Sequence, residues 1–540
     1  MSPSPYAQIN TRQTPQTQPI LGRKMVLNNA KGYVFQLDDW KAFERFLILG
    51  SEGGTFYVGE QKLTVQNAER TLACIREDGK RAVNAIVAIS DSGRAAKNDP
   101  AIFALALAAA AESPETRAFA LAALPRVARI PTHLFHFLEY SKGLRGWGRE
   151  LKRAVASWYA DKPVDQLAYL MTKYQQRDGW RQADVLRKSH PHVAGDGTRD
   201  LLYKWAVDGY EAALAKQAAF GDRFALPSIV GAFEQAKDAP TNELCDLIRE
   251  HNLSREMIPT NQLTKPEVWE ALLEKMNPEA LLRNLGNLSK IGLLVPFSDA
   301  SKAVVAKLGD CEQLKRKRIH PLQVLIALKV YSSGRGFKGD GKWDPVPGVV
   351  DTLDSAFYSC FDYLTQGQER LLIAIDCSGS MTGARLGCAP NFSAAEASAA
   401  MAMACVRASK ETYTIAFDDQ VRRAGDLSPR SNLKEVMKTY TDLSGNGTDC
   451  SIPVVYALER KLNVDGIIQM TDGETWAGKY HVCQALRTYR DRFNPHCKHV
   501  AVGMTATNFS INSPEDMLSA DFAGFDASVP QAIQSFLRLE

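Results

Sequence analysis

Two hydrophobic grammars divide this chain. From about Arg23 to Gln366, apolar residues recur at i, i+3, i+4 and i+7, the spacing that lines up one face of a helix. The segments NDPAIFALALAAAA, SPETRAFALAAL, KPVDQLAYLMTKY, LPSIVGAFEQA, KPEVWEALLEKM, NPEALLRNLGNL and HPLQVLIALKVY share one design. Each begins near a proline, whose missing N–H is no loss in a first helical turn. Past Gln366 the pattern changes to short apolar runs alternating with amphipathic helices. RLLIAID, TYTIAF, DGIIQMTDG and KHVAVGM read as strands, while SAAEASAAMAMACVRAS, SNLKEVMKTY and VPQAIQSFLRL read as helices. Such alternation predicts βαβ units around a parallel sheet covered on both faces.

No exact period emerges in the helical part, so its repeat is degenerate. Helix pairs of this kind stack into an all-α solenoid of the HEAT type, each pair burying its face on the next. An irregular all-helical domain is the alternative. The expected organisation is a disordered tail over residues 1–18, a helical-repeat domain over 19–366 and a Rossmann-like α/β domain over 367–540. The tail is assigned on its Pro, Gln, Ser and Thr content.

Composition narrows the function classes only a little. The 540 residues carry a formal charge of +4, too small to mark a nucleic-acid binder, so any basic signal must be local. Ten cysteines are scattered without a CxxC pair, which points to reduced, packed thiols and not to a disulfide framework. No charged-then-apolar leader opens the chain, and no apolar run approaches the ~18 residues of a membrane span. The expectation is a cytoplasmic protein with no membrane partner, a nuclear pool being left open.

Candidate chemistry begins where the first strand of the α/β part ends. In a doubly wound sheet, ligands bind beyond the carboxyl ends of the strands. DCSGSMTG puts Asp376 there, with Ser378 and Ser380 at alternate positions. LSGNGTD offers Thr448 on a glycine-loosened loop, and QMTDGET offers Asp472 at another strand end. Two carboxylates and three hydroxyls are hard oxygen donors of low total charge. They suit a small hard divalent cation that keeps several waters, Mg2+ first and Mn2+ as an alternative. Catalytic readings fare worse. Ser378 lacks the Gly-x-Ser-x-Gly elbow, no acid and His follow for a triad, and no phosphate loop is present. Cys377 and Cys450 alternate away from the ligands and read as packing. The three loops together resemble the metal-ion-dependent adhesion site (MIDAS) of von Willebrand factor A domains, with all five motif positions matched. That resemblance implies a metal whose open position accepts a carboxylate or other oxygen from a protein partner.

Ser141 to His192 is the second informative stretch. Eleven Lys and Arg against five Asp and Glu leave a local excess of six, so the rest of the chain is slightly acidic. The candidate contacts are Lys142, Arg145, Arg149, Lys152, Arg153, Lys173, Arg177, Arg181, Arg187, Lys188, His190 and His192. Trp147, Trp158, Tyr159, Tyr169, Tyr174 and Trp180 are interleaved with them. Lys173 and Arg177, four apart, are expected on one helix face, where both heads reach one phosphate track. Cations for phosphates beside rings able to stack on unpaired bases are the footprint of RNA binding. The same residues also read as a solvated helix face over a core of aromatics. His190 and His192 have no further metal ligands nearby, which favours phosphate contact or capping.

LGSEGGTFYVGE, GLRGWGRELKRAVASWY and GWRQADVLRKSHPH resemble the TROVE module of telomerase-associated, Ro and vault proteins. TROVE followed by a von Willebrand A domain, over nearly the whole chain, is similar to the Ro ribonucleoprotein autoantigens of vertebrates. The resemblance implies a ring of helical repeats closed by the A domain. It also implies Y RNAs on the outer surface and 3′ ends of misfolded small noncoding RNAs taken through the hole. The expected protein is a monomeric, non-enzymatic RNA binder, the core of a small ribonucleoprotein in RNA quality control, with no DNA partner. Two rivals stand beside it. One is a metal-dependent protein-binding scaffold; the other is a metal-dependent nuclease, which needs two clustered metals or an activated water.

Overall fold

Proline opens helices much as the pattern requires. In the computed structural model, Asp99–Ala109, Pro114–Val127, Pro266–Lys275, Pro278–Lys290 and Pro321–Ser332 carry it within their first two positions. Pro163 and Pro227 stand one place earlier, capping Val164–Lys173 and Ser228–Ala236. The structure describes residues 13–538 apart from 194, 337–340, 362–366, 387–388, 426, 444, 446 and 527. Helices from Asp39–Leu49 to Pro347–Ser359 stack on their neighbours and bury one continuous core, with Phe135, Trp158, Leu202, Trp269, Leu325 and Phe357 inside it. The array then returns on itself. Nε2 of His320, which caps Pro321–Ser332, lies 3.0 Å from the Arg94 carbonyl oxygen, and Arg318 donates to the Asp91 carbonyl.

Two short strands, β1 (Val26–Leu27) and β2 (Tyr33–Gln36), precede the helices. A hairpin of β3 (Gln176–Arg177) and β4 (Trp180–Arg181) interrupts them. The C-terminal domain opens with β5 (Gly367–Asp376) and a hairpin of β6 (Arg385–Leu386) and β7 (Ala389–Ser393). It continues through β8 (Ser409–Phe417), β9 (Val421–Ala424), β10 (Gly466–Thr471), β11 (Lys498–Gly503), β12 (Phe509–Ser510) and β13 (Ser519–Ala523). The main sheet runs β13-β11-β10-β5-β8-β9 and is parallel except for β9. Leu371, Ile373 and Ile375 join the core shared with the helix Ala394–Arg407; Leu372 and Ala374 join the opposite core with Val454 and Leu486. This is the period-two alternation of a strand buried on both faces. The chain leaves β5 for β8 on one side and later enters β10 on the other. A switch of this kind opens a ligand crevice between β5 and β10.

More than the linker joins the two modules. β2 pairs antiparallel with β12, Phe509 lying opposite Gln36. The buried Arg45 donates to the Phe509 carbonyl at 3.1 Å. Arg94 pairs with Asp526 at 2.7 Å, and Lys329 with Glu396 at 2.6 Å. Residues 13–18, expected within a disordered tail, lie against the C-terminal domain instead. Gln16 is buried there, donating to Asp449 Oδ1 at 2.9 Å and accepting from Gly478 N at 3.1 Å. Polar composition suggested disorder because it offers little apolar surface to bury; this segment docks through hydrogen bonds. The remainder of the expected tail, 1–12, lies outside the described residues. Among the described residues, no helix is long and apolar enough to cross a membrane, and the cysteines are free thiols.

Candidate functional site

β5 ends in Asp376 and β10 in Thr471, and their parallel register pairs Ile375 with Met470. Adjacent strand ends therefore deliver two acidic loops to one spot. Thr471 Oγ1 donates to Asp376 Oδ2 at 2.6 Å, and Ser378 N donates to Asp376 Oδ1 at 2.9 Å, which fixes that carboxylate. The Ser378 and Ser380 hydroxyl oxygens lie 3.1 Å apart. Asp472 Oδ1 accepts from Glu474 N at 3.0 Å, while its buried Oδ2 has no hydrogen-bond partner among the described residues. Thr448 stands on the adjoining loop, its carbonyl accepting from Trp476 N and Ala477 N, each at 3.0 Å. All five predicted ligands are buried.

Burial dominates the electrostatics. Desolvation, followed by the charge of Asp472, raises the Asp376 carboxyl to about 7. Burial raises Asp472 as well, and burial together with Asp472 raises Glu474 to about 8. Carboxylates crowded in a dry crevice repel one another; a divalent cation cancels that repulsion and gives Asp472 Oδ2 a partner. The residues therefore fit a small hard cation. Glu474 directs its oxygens elsewhere, to Asn29 Nδ2 at 2.6 Å and Ala30 N at 3.0 Å. Among the described residues, no cluster of three or more His, Cys, Asp or Glu side chains is arranged to hold a metal. Burial pushes the Cys377 thiol up to about 12 and Cys450 well above its ordinary value, consistent with packing. Thr471, Glu474 and Tyr57 escaped sequence reasoning. The first two stand beside Asp472 in QMTDGET and were open to it. Tyr57 comes from the other module, yet its phenol is raised to about 12 by burial and by the charges of Asp472, Glu474 and Asp376.

The basic stretch divides into a surface part and a structural part. Arg149, Lys152 and Arg153 are exposed at the start of the helix Arg149–Ala160, with no ion pair among the described residues. Their spacing puts them on one side of that helix. The adjacent helix Gln182–Ser189 adds the exposed Arg187 and Lys188, with Arg181 before it and His190 as its left-handed cap. Lys142 and His192 are also exposed. Arg145 is held at 2.6 Å by Glu150 and donates to the Ala109 carbonyl.

Two expectations need correction here. Lys173 and Arg177 do not share a helix face, because the helix ends at Lys173 and Arg177 lies in the β3–β4 hairpin. The two-residue turn Asp178-Gly179, both at positive φ, claims these residues for the hairpin. Lys173 is mostly buried, its Nζ 5.3 Å from the Tyr174 ring centre and 3.8 Å from Glu256. Nor are all the interleaved rings available for stacking. Trp158, Tyr159 and Trp180 are buried and donate to Ala128 O, Gln182 and Glu139 respectively. Trp147, Tyr169 and Tyr174 remain partly exposed.

Fold and sites together define a closed helical-repeat module joined to an A-type α/β domain with an acid–hydroxyl crevice. Comparison with known proteins agrees. Residues 26–224 and 247–362 match the TROVE domain, and 370–537 match the Ro60 vWA domain. The chain is 39% identical over 534 residues to RNA-binding protein RO60 of Deinococcus radiodurans, covering 98% of each. It is 31% identical to RNA-binding protein RO60 of Caenorhabditis elegans, covering 95% of this chain and 90% of that one. The crystal structure of the Deinococcus radiodurans RO (RSR) protein superposes with a TM-score of 0.69 at 38% identity, covering 93% and 99% of the two chains. The chain belongs to the Ro60 family.

Proposed function

We propose that this protein binds small noncoding RNA and forms the protein core of a ribonucleoprotein. The observation that carries this reading is the exposed cation row Arg149, Lys152 and Arg153, without an ion pair among the described residues, on a helix packed against the one that Arg181, Lys188 and His190 flank or share, inside a TROVE module. Exposed cations without acid partners meet a phosphate at little desolvation cost and release its counterions. Both relatives named above are RNA-binding proteins, which supports the same reading. Its narrower form follows the resemblance to the vertebrate Ro autoantigens. The RNAs are Y RNAs and the 3′ ends of misfolded noncoding transcripts, bound by a monomer in the cytoplasm and without catalysis.

A divalent cation, Mg2+ or Mn2+, is proposed for the C-terminal crevice, held by Asp376, Ser378, Ser380, Thr448 and Asp472. The cation would supply positive charge for an anionic oxygen of a protein partner. Thr471 and the Ser378 amide keep the Asp376 carboxylate oriented for it. The test of the RNA reading is affinity for a structured small RNA as salt is raised. Steep decline, flattened by Arg149→Ala, Lys152→Ala and Arg153→Ala together, is expected. Wild-type affinity and slope in the triple variant would reduce the face to solvated surface.

A further inference from the structure

The LGSEGGTFYVGE stretch contributes no Lys or Arg to the basic face, yet it reaches the C-terminal crevice. Thr55 N donates to the Val58 carbonyl at 2.7 Å, and Val58 N to Thr55 Oγ1 at 3.0 Å, closing a turn with Phe56 and Tyr57 at its tip. The Phe56 ring rests on Gly383, where an added Cβ would meet Phe56 Cδ2 at 2.6 Å. Gly383 ends the short helix Gly379–Gly383, which carries Ser380. Tyr57 lies within electrostatic reach of Asp376, Asp472 and Glu474.

The segment between β1 and β2 grips the other ligand loop. Asn28 Nδ2 donates to the Thr475 carbonyl at 2.9 Å and to the Gly473 carbonyl at 3.2 Å. Asn29 and the Ala30 amide hold the Glu474 carboxylate. Gly32 approaches so closely that an added Cβ would fall 1.7 Å from the Thr475 carbonyl oxygen. Both loops that carry acid ligands are therefore clasped from outside their own domain.

We propose that the cation centre is shared between the two modules. The Asn28–Gly32 and Thr55–Val58 turns position its ligand loops, so cation binding and docking of the N-terminal segment strengthen each other. This rests on the cation reading given above. Without a cation, the 472–476 loop is held from outside its own domain by Asn28, Asn29 and the Ala30 amide. A cation bound to Asp472 would anchor the same loop from the crevice side and keep the Gly473 and Thr475 carbonyls and the Glu474 carboxylate where Asn28, Asn29 and Ala30 reach them. Losing those donors in turn lets the loop move and misplaces Asp472. Linkage makes the two effects equal in size.

Hydrogen exchange on the intact protein, with and without Mn2+ at matched ionic strength, tests the coupling beside calorimetry of Mn2+ binding. Amides in 26–36 and 53–58 should exchange about fivefold or more slowly with Mn2+, while helices within 241–290 stay unchanged. Asp376→Ala should remove that protection, and Asn28→Ala with Asn29→Ala should weaken Mn2+ binding by about the same factor. Wild type that binds Mn2+ but shows unaltered exchange in both segments overturns the coupling and leaves the cation reading standing. Wild type that binds no Mn2+ overturns both. The exchange comparison needs no variant, so it decides the matter even if the double substitution unfolds the protein.

Discussion

The helical face and the C-terminal crevice handle charge in opposite ways. On the helical face, Arg149, Lys152 and Arg153 are exposed, without acid partners among the described residues. In the crevice, Asp376 and Asp472 are 0% and 4% exposed, and Asp472 Oδ2 has no hydrogen-bond partner among the described residues. Exposed charge acts through several weak contacts that salt screens, within a Debye length of about 8 Å at physiological strength. Buried charge is screened far less, and it is costly until a counter-charge arrives. The difference teaches that ionic strength should govern the first region, while protons and divalent ions govern the second.

The sharpest way to break this contrast is Asp376→Ala. Removing the one acid of the first loop should lower Mn2+ affinity by about a hundredfold or more, beyond the usual cost of losing an outer-shell partner. Unchanged affinity by calorimetry would leave the crevice with no ion to bind. Next in size is the triple substitution of Arg149, Lys152 and Arg153 by Ala. It should cost RNA affinity about tenfold to a hundredfold and flatten the salt slope by about three units, read by filter binding over a salt series.

Proton competition is smaller and has a definite sign. The Asp376 carboxyl is raised from 3.8 to about 7, so below that pH a cation must displace a proton. Mn2+ affinity should therefore fall by about tenfold per pH unit below 7, and flatten above it. In cation-free protein the same shift means that ionising Asp376 costs stability as pH rises from near its unfolded value of 3.8 through about 7. Thermal melts in EDTA, corrected for other groups with the Asp376→Asn variant, check this. A flat pH profile of Mn2+ affinity would contradict the burial-driven shift.

The smallest expected effects sharpen the boundary between the regions. Lys173→Ala should change RNA affinity by less than about twofold, because that side chain faces Tyr174 and Glu256 and lacks exposure. EDTA at constant ionic strength should change RNA affinity by less than about threefold, one screened divalent charge being minor beside the basic face. A tenfold or larger loss with EDTA, repeated in Asp376→Ala, would place RNA on the crevice and dissolve the separation.

Much of this molecule was written locally. Proline followed by a helical stripe marks helix starts because capping and periodicity depend on residues within one or two turns. The strand ends that carry the Asp376 and Asp472 loops were legible for the same reason. Only the tertiary structure could say that Trp158, Tyr159 and Trp180 are core. A ring at helical spacing looks the same whether a neighbour or water covers it. It also took the assembled fold to bring Asn29 to Glu474 across 445 positions, Gln16 to Asp449 across 433, and Tyr57 to the carboxylates of another module. Periodicity tells which face of an element must be covered, and it carries no information about which distant segment will cover it.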